Sequence, residues 1–215
     1  MPRQAHPSNP LALAVLALLF ERPMHPYEMG VILRQRHKEE SIKLRYGSLY
    51  TVIDLLQQRA FIVARETGRD GRRPERTVYE ITPAGRDELR AWMADLIAEP
   101  TKEYPQFEAA LCLLPVLPPD EALALLLRRR ERLEQNVAAH VQRFESIAEK
   151  NIPPLFLVEA EYRLALMKAE QHFVAELIRR IESGWGPLDL WRDFHENRET
   201  TIAKLYRQFG GAPMN

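Results

Sequence analysis

Gly47-Ser-Leu-Tyr-Thr-Val-Ile-Asp-Leu-Leu56 and, close behind it, Gly68-Arg-Asp-Gly-Arg-Arg-Pro74 decide how this 215-residue chain folds. In the first stretch Leu49, Val52, Ile53 and Leu56 recur at three-to-four spacing, which predicts a helix over about 46–60 with one apolar face turned inward. Ser48, Thr51, Leu55 and Gln58 are left on the outer side, with Tyr50 and Asp54 toward its edge. The second stretch lies between 61–67 and 77–81, two runs rich in β-branched and aromatic residues that alternate in polarity. Gly68, Gly71 and Pro74 punctuate the gap, so the pair reads as a hairpin with arginines at its tip. A helix with a small, hydroxylated outer face beside a basic hairpin is the outline of a winged helix-turn-helix.

The flanking sequence fits that outline. Asn9-Pro10 caps and opens a first helix to about residue 20, apolar nearly all round and therefore central. A second helix starts at Pro26 and runs to about 37, and 42–44 reads as a short strand. Thr82-Pro83 starts a fourth helix, through Leu89 and Trp92 to about 97. Residues 99–105 read as a linker. Beyond them no strand-like run occurs, and helices are expected over 107–114, 118–150, 155–182 and 188–209. The two longest carry narrow apolar stripes: Leu123, Leu126, Leu127, Leu133, Val137, Val141, Phe144 and Ile147 on one, and Val158, Tyr162, Ala165, Ala169, Phe173, Leu177 and Ile181 on the other. Antiparallel packing on each other and on a second copy buries such stripes, so a homodimer through 107–209 is expected. An intrachain three-helix bundle satisfies the same periodicity. The expected fold is therefore mainly α: a winged helix-turn-helix with a two-stranded wing over 1–97, and an all-helical dimerisation and effector-response domain over 98–215.

Composition narrows the function. Thirty basic and thirty acidic residues cancel overall, yet 43–76 holds eight basic residues against four acidic ones. A basic patch on a neutral protein suits reversible, salt-sensitive contact with a polyanion. The single cysteine, Cys112, excludes an internal disulfide and a cysteine-built metal site, and its apolar neighbours predict a buried position. The apolar run 10–20 is too short to span a bilayer and lacks the flanks of a signal peptide, which places the protein in the cytoplasm without a membrane partner. His6, His25, His37, His140, His172 and His195 are scattered, and no HExxH, GxSxG, GxGxxG or P-loop occurs. Neither an enzyme nor a cofactor is expected, and no metal.

The order helix, helix, helix, hairpin, helix, long-helix arm resembles the phenolic-acid-decarboxylase-regulator (PadR) family of bacterial transcription factors. The resemblance is carried by Leu16, Leu18 and Leu19 before His25-Pro-Tyr-Glu-Met29, by Gly47-Ser-Leu-Tyr50 with Ile53 and Leu56, and by Gly71-Arg-Arg-Pro74 with Val78-Tyr-Glu-Ile-Thr-Pro-Ala-Gly85. It covers about 10–97, while 105–209 fits the larger helical arm of one branch of the family by length and pattern. The chain departs from the family at Thr51, where proline is frequent, at Ala60, where glycine is usual, and at Asp54, where a basic residue is frequent. The resemblance implies a sequence-specific DNA-binding regulator, a repressor that binds a pseudo-palindromic operator as a homodimer and responds to a small molecule.

Residue by residue, Tyr46, Ser48, Tyr50 and Thr51 are the expected DNA contacts on the recognition helix, with Lys43 and Arg45 on the backbone just upstream. Arg69, Arg72 and Arg73 at the wing tip are expected to grip phosphate or the minor groove. Arg76 is expected to pair across the hairpin with Glu66 or to join them. Asp54 would repel phosphate, so it should turn away from the backbone or accept from a cytosine amino group. His25 and Tyr27 serve packing and capping, and Glu28 accepts from the first amides of its helix. An aromatic or hydrophobic effector is expected at Tyr162, Trp185 and Trp191, against the alternative that these aromatics are core. A winged-helix module that binds protein rather than DNA is the competing function.

Overall fold

A computed structural model describes residues 9–42, 46–65, 77–148, 152–184 and 186–209. The chain divides into two compact units, Met1–Glu103 and Tyr104–Asn215. The first is built around α1 (Pro10–Glu21), whose Leu11, Val15, Leu16 and Leu19 are buried on all sides. Its start is fixed by Asn9, whose Oδ1 accepts the Leu11 N–H at 3.0 Å, and by Pro10 in the first turn. The second helix, α2 (Pro26–Gln35), is capped in the same way by His25, whose Nδ1 accepts the Tyr27 N–H at 3.1 Å. It stops two residues short of the expected 37, because the chain turns through His37 at φ 53° into a single 3-10 turn, Lys38–Glu40. Ion pairs bind the two helices together: Arg36 Nη2 donates to Glu21 Oε2 at 2.8 Å, and Arg22 donates to Glu28. Arg22 and, to a lesser degree, the His25 backbone N–H hold the Glu28 carboxyl below its ordinary range, which gives Glu28 the capping role expected of it.

The third helix, α3 (Tyr46–Gln58), buries Leu49, Val52, Ile53 and Leu56, the residues its periodicity selects. Two short strands follow, β1 (Ile62–Arg65) and β2 (Val78–Ile81), antiparallel, with Ile62 opposite Ile81 and Arg65 opposite Val78. Met24 and Tyr79 exchange both backbone hydrogen bonds at 3.1 Å, so the loop before α2 adds a third, one-residue rung to the hairpin. The expected strand at 42–44 falls mostly outside the described residues, and Ile42 itself lies in a bend. The unit closes with α4 (Pro83–Ala98), which buries Gly85, Leu89 and Trp92.

One joint sets how the recognition helix meets the hairpin. The Phe61 N–H reaches back to Leu56 O and the Ala60 N–H to Gln57 O, both at 2.9 Å, which is the Schellman ending of a helix. That ending needs a left-handed residue, and Ala60 occupies it at φ 58°, where glycine would carry no steric cost. Thr82 clamps the far side. Its N–H donates to Phe61 O at 3.0 Å, its hydroxyl is shared between Ala60 O at 2.8 Å and Phe61 O at 3.1 Å, and its oxygen accepts the Gly85 N–H at 3.0 Å.

The second unit is all helical. It comprises α5 (Gln106–Cys112), α6 (Pro119–Ala148), α7 (Val158–Glu182), α8 (Pro187–Glu196) and α9 (Arg198–Phe209), with single 3-10 turns at Leu114–Val116 and Pro154–Phe156. Arg129 Nε donates to Glu170 at 2.7 Å and His140 Nε2 lies 3.0 Å from Ala160 O, so later residues of α6 meet earlier ones of α7 and the pair is antiparallel. Leu126 and Leu133 of α6, Val174, Leu177, Ile178 and Ile181 of α7, and Leu188 and Trp191 of α8 form the core.

Three expectations for this unit are corrected. Cys112 is exposed, because α5 buries only part of one side and places Ala109, Ala110 and Leu113 in water as well. The stripe on α7 divides: Leu177 and Ile181 are buried in the core, whereas Val158, Tyr162 and Phe173 are exposed. The final helix is two helices, broken at Asn197 (φ −132°, ψ 50°), where Thr201 Oγ1 donates back to Asp193 O at 3.1 Å.

Candidate nucleic-acid interface

With 100° between successive residues, burial of Leu49, Val52, Ile53 and Leu56 leaves Gly47, Thr51, Asp54 and Gln58 on the opposite side of α3. All four are exposed. This differs from the expected outer face in two ways. Asp54 stands at the centre rather than toward the edge, and Ser48 and Leu55 are half-buried, lining a shallow groove with Asn9. Tyr50 is 50% exposed at the edge of the face, so it is not a core residue. Thr51 Oγ1 donates back to Gly47 O at 3.0 Å, which fixes its rotamer and leaves its lone pairs and methyl group facing outward. Tyr46 opens the helix, but its side chain lies outside the described residues, as do Lys43 and Arg45.

Tyr79 joins the helix face to the hairpin. Burial raises its phenol pKa, and the Asp54 carboxylate and Tyr50 of α3 raise it further. The sequence places Gln58 on the outer side of the helix and Tyr79 in the family motif, but neither among the expected DNA contacts. The signal for Gln58 was present in the 47–51–54–58 spacing. Tyr79 had none, since its neighbours come from the fold. The described base of the hairpin carries an ion pair, Arg65 Nε to Glu80 Oε2 at 3.5 Å. The wing tip with Arg69, Arg72 and Arg73, and the proposed Arg76–Glu66 pair, lie outside the described residues.

The expected effector residues are not gathered into one site. Trp191 is buried between α6, α7 and α8, and its indole N–H donates to Leu117 O at 2.8 Å. Tyr162 is exposed near the start of α7, and Trp185 lies outside the described residues. Among the described residues no group of three or more His, Cys, Asp or Glu side chains is placed to hold a metal ion. No helix among them is long and apolar enough to cross a membrane.

A helical unit whose third helix presents an unpacked polar face beside a hairpin is a winged helix-turn-helix. Residues 15–91, within this unit, match the model of the transcriptional regulator PadR-like family. Solved structures extend the likeness in fold to both units. Bacillus subtilis PadR in complex with operator DNA is 19% identical, with a TM-score of 0.63 over 81% of this chain and 99% of that one. The same protein in complex with p-coumaric acid gives 16% identity and a TM-score of 0.65 over 80% and 98%. The Vibrio cholerae virulence activator AphA gives 17% and 0.61, again over 80% and 98%. No curated protein matches the chain as a relative.

Proposed function

We propose that the chain is a homodimeric, cytoplasmic repressor that reads a pseudo-palindromic operator and is modulated by a small molecule. In this reading residues 1–97 bind DNA, and 98–215 dimerise and respond to the effector. The observation that carries it is the outward face of α3: Thr51, Asp54 and Gln58 are exposed on a helix whose other side is fully committed to the core. Asp54 accepts from a cytosine amino group, Gln58 pairs with an adenine edge, and the Thr51 methyl meets a thymine methyl. Tyr46, Ser48 and Tyr50 flank that readout. Lys43, Arg45, Arg69, Arg72 and Arg73 hold phosphate and supply most of the affinity.

The second copy is supported by the outer side of α7. Val158, Tyr162 and Leu166 follow one another at four-residue spacing and are 54%, 65% and 53% exposed, an apolar row that a partner helix would cover. Two winged units related by a two-fold axis read a two-fold-related site about one helical turn apart. The operator and p-coumaric acid complexes of the Bacillus subtilis protein support DNA as the target and a small organic acid as the kind of effector.

The test is a salt titration of duplex binding by fluorescence anisotropy. The logarithm of affinity is expected to fall linearly with the logarithm of salt concentration. Arg72→Ala with Arg73→Ala is expected to flatten that slope by roughly 2, since each phosphate contact contributes about 0.9. Affinity insensitive to salt would instead favour the protein-interaction module.

A further inference from the structure

An opening within the second unit lies between α5 and the first half of α6, a groove of about 330 Å³. That volume is at the small end for a ligand site. Leu111, Leu114, Leu117, Leu125 and Leu126 supply a purely hydrocarbon lining, closed at one side by Phe107. Arg128, Arg129 and Arg132 also line it. The three cations are not equivalent. Arg129 is neutralised by two bonds to Glu170, and its guanidinium lies 3.6 Å above the Phe107 ring, so it acts as a fixed wall. Arg128 and Arg132, one helical turn apart, have no carboxylate partner among the described residues. Along α6 the groove therefore passes from apolar at Ala122 and Leu125 to cationic at Arg128 and Arg132.

From this gradient we infer that the α5–α6 groove binds an amphiphilic monocarboxylate, its hydrocarbon body among the leucines and its head group between Arg128 and Arg132. The side chains around the body are hydrocarbon, which favours a plain hydrocarbon body over a polar-substituted one. Two guanidinium groups flanking one end favour a carboxylate over a neutral head group. The inference rests on the effector reading of the second unit and moves the site away from Tyr162, Trp185 and Trp191. It also supplies a route for the response. The helix α5 has seven residues, none fully buried, and begins just after the Glu103–Tyr104 junction, so a body wedged against Phe107 and Leu111 alters the first element beyond the linker.

Calorimetric titration of the full-length protein with octanoate and with octan-1-ol tests the site. Octanoate is expected to bind saturably and about tenfold or more tighter than octan-1-ol, as charge-assisted bonds imply. Arg128→Gln with Arg132→Gln is expected to remove that preference and leave octan-1-ol binding unchanged. Ala110→Trp, which fills the groove without changing charge, is expected to abolish binding of both while leaving the sedimentation coefficient unchanged. Three results would overturn the site: no saturable octanoate binding, a head-group preference that survives in the double variant, or an Ala110→Trp protein that loses its partner copy. The last would make the groove a seam between subunits. Octanoate binding with these preferences but without any change in operator affinity would uphold the site and overturn the effector reading instead.

Discussion

Replacing Gly85 by alanine tests the joint on which the DNA-binding unit depends. Glycine at the third position of α4 is ordinarily a weakness, and alanine there would stabilise by about 0.4–1 kcal/mol through propensity and a less disordered unfolded chain. Here the added methyl would stand 2.1 Å from the Phe61 carbonyl oxygen and 2.9 Å from Ile81 Cγ1. That oxygen cannot turn aside, because it receives the Thr82 N–H at 3.0 Å and shares the Thr82 hydroxyl. Relief requires α4 to withdraw by roughly an ångström to regain van der Waals separation. Overpacking of this kind costs about 1–3 kcal/mol, and loosening the Thr82 cap on Gly85 adds about 1 kcal/mol. The clash wins, and a net loss of about 2 kcal/mol is expected. Urea unfolding of the full chain followed by circular dichroism gives the loss, and hydrogen exchange at Leu89 and Trp92 locates it in α4. A midpoint equal to or above that of the parent would refute the close approach and the role given to the joint.

The same joint gives a change of opposite sign. Ala60→Gly removes a left-handed strain of about 1–2 kcal/mol at an entropic cost of about 0.5–1 kcal/mol, so urea unfolding should show a net gain of about 0.5–1 kcal/mol. In the second unit the Glu176 carboxyl is held at about 2 by hydrogen bonds from Arg179 and then Arg180. A depressed carboxylate contributes stability that is complete above its unfolded pKa near 4.5 and is lost as pH falls toward 2. Thermal unfolding of Glu176→Gln should therefore approach that of the parent as pH drops through this window. Tyr162→Glu with Leu166→Glu places two charges on the apolar row of α7, and sedimentation velocity should then show monomer where the parent sediments as a dimer, with helix content unchanged.

Much of this architecture is legible in the sequence because its boundaries are marked by local chemistry. Asn9-Pro10, His25-Pro26 and Thr82-Pro83 each place an acceptor side chain before a proline, and all three cap a helix in the structure. The inner face of α3 is similarly local, since four apolar residues at helical spacing can face only one way. Its outer face differs from the expectation at Asp54, which the mean direction of the four inward residues, at 100° per residue, places near the centre and not the edge. The α7 stripe was read as one because Tyr162 and Phe173 obey the same period as Leu177 and Ile181. What divides it is how far α6 covers it, a tertiary fact with no signature in the period. The α5–α6 groove was invisible for the same reason: Phe107, Leu125 and Arg128 come together only when α5 folds back on α6.

Whether the outer face of α3 reads bases decides the proposed function most directly. Selection of duplex DNA from a random pool by the purified full-length protein, repeated with Asp54→Ala, measures this in one experiment. The expected result is enrichment of a two-fold-related site, and loss of preference at one symmetric position in the variant, worth about 1–3 kcal/mol of discrimination against other bases. Failure of the parent to enrich any two-fold-related site would contradict the account.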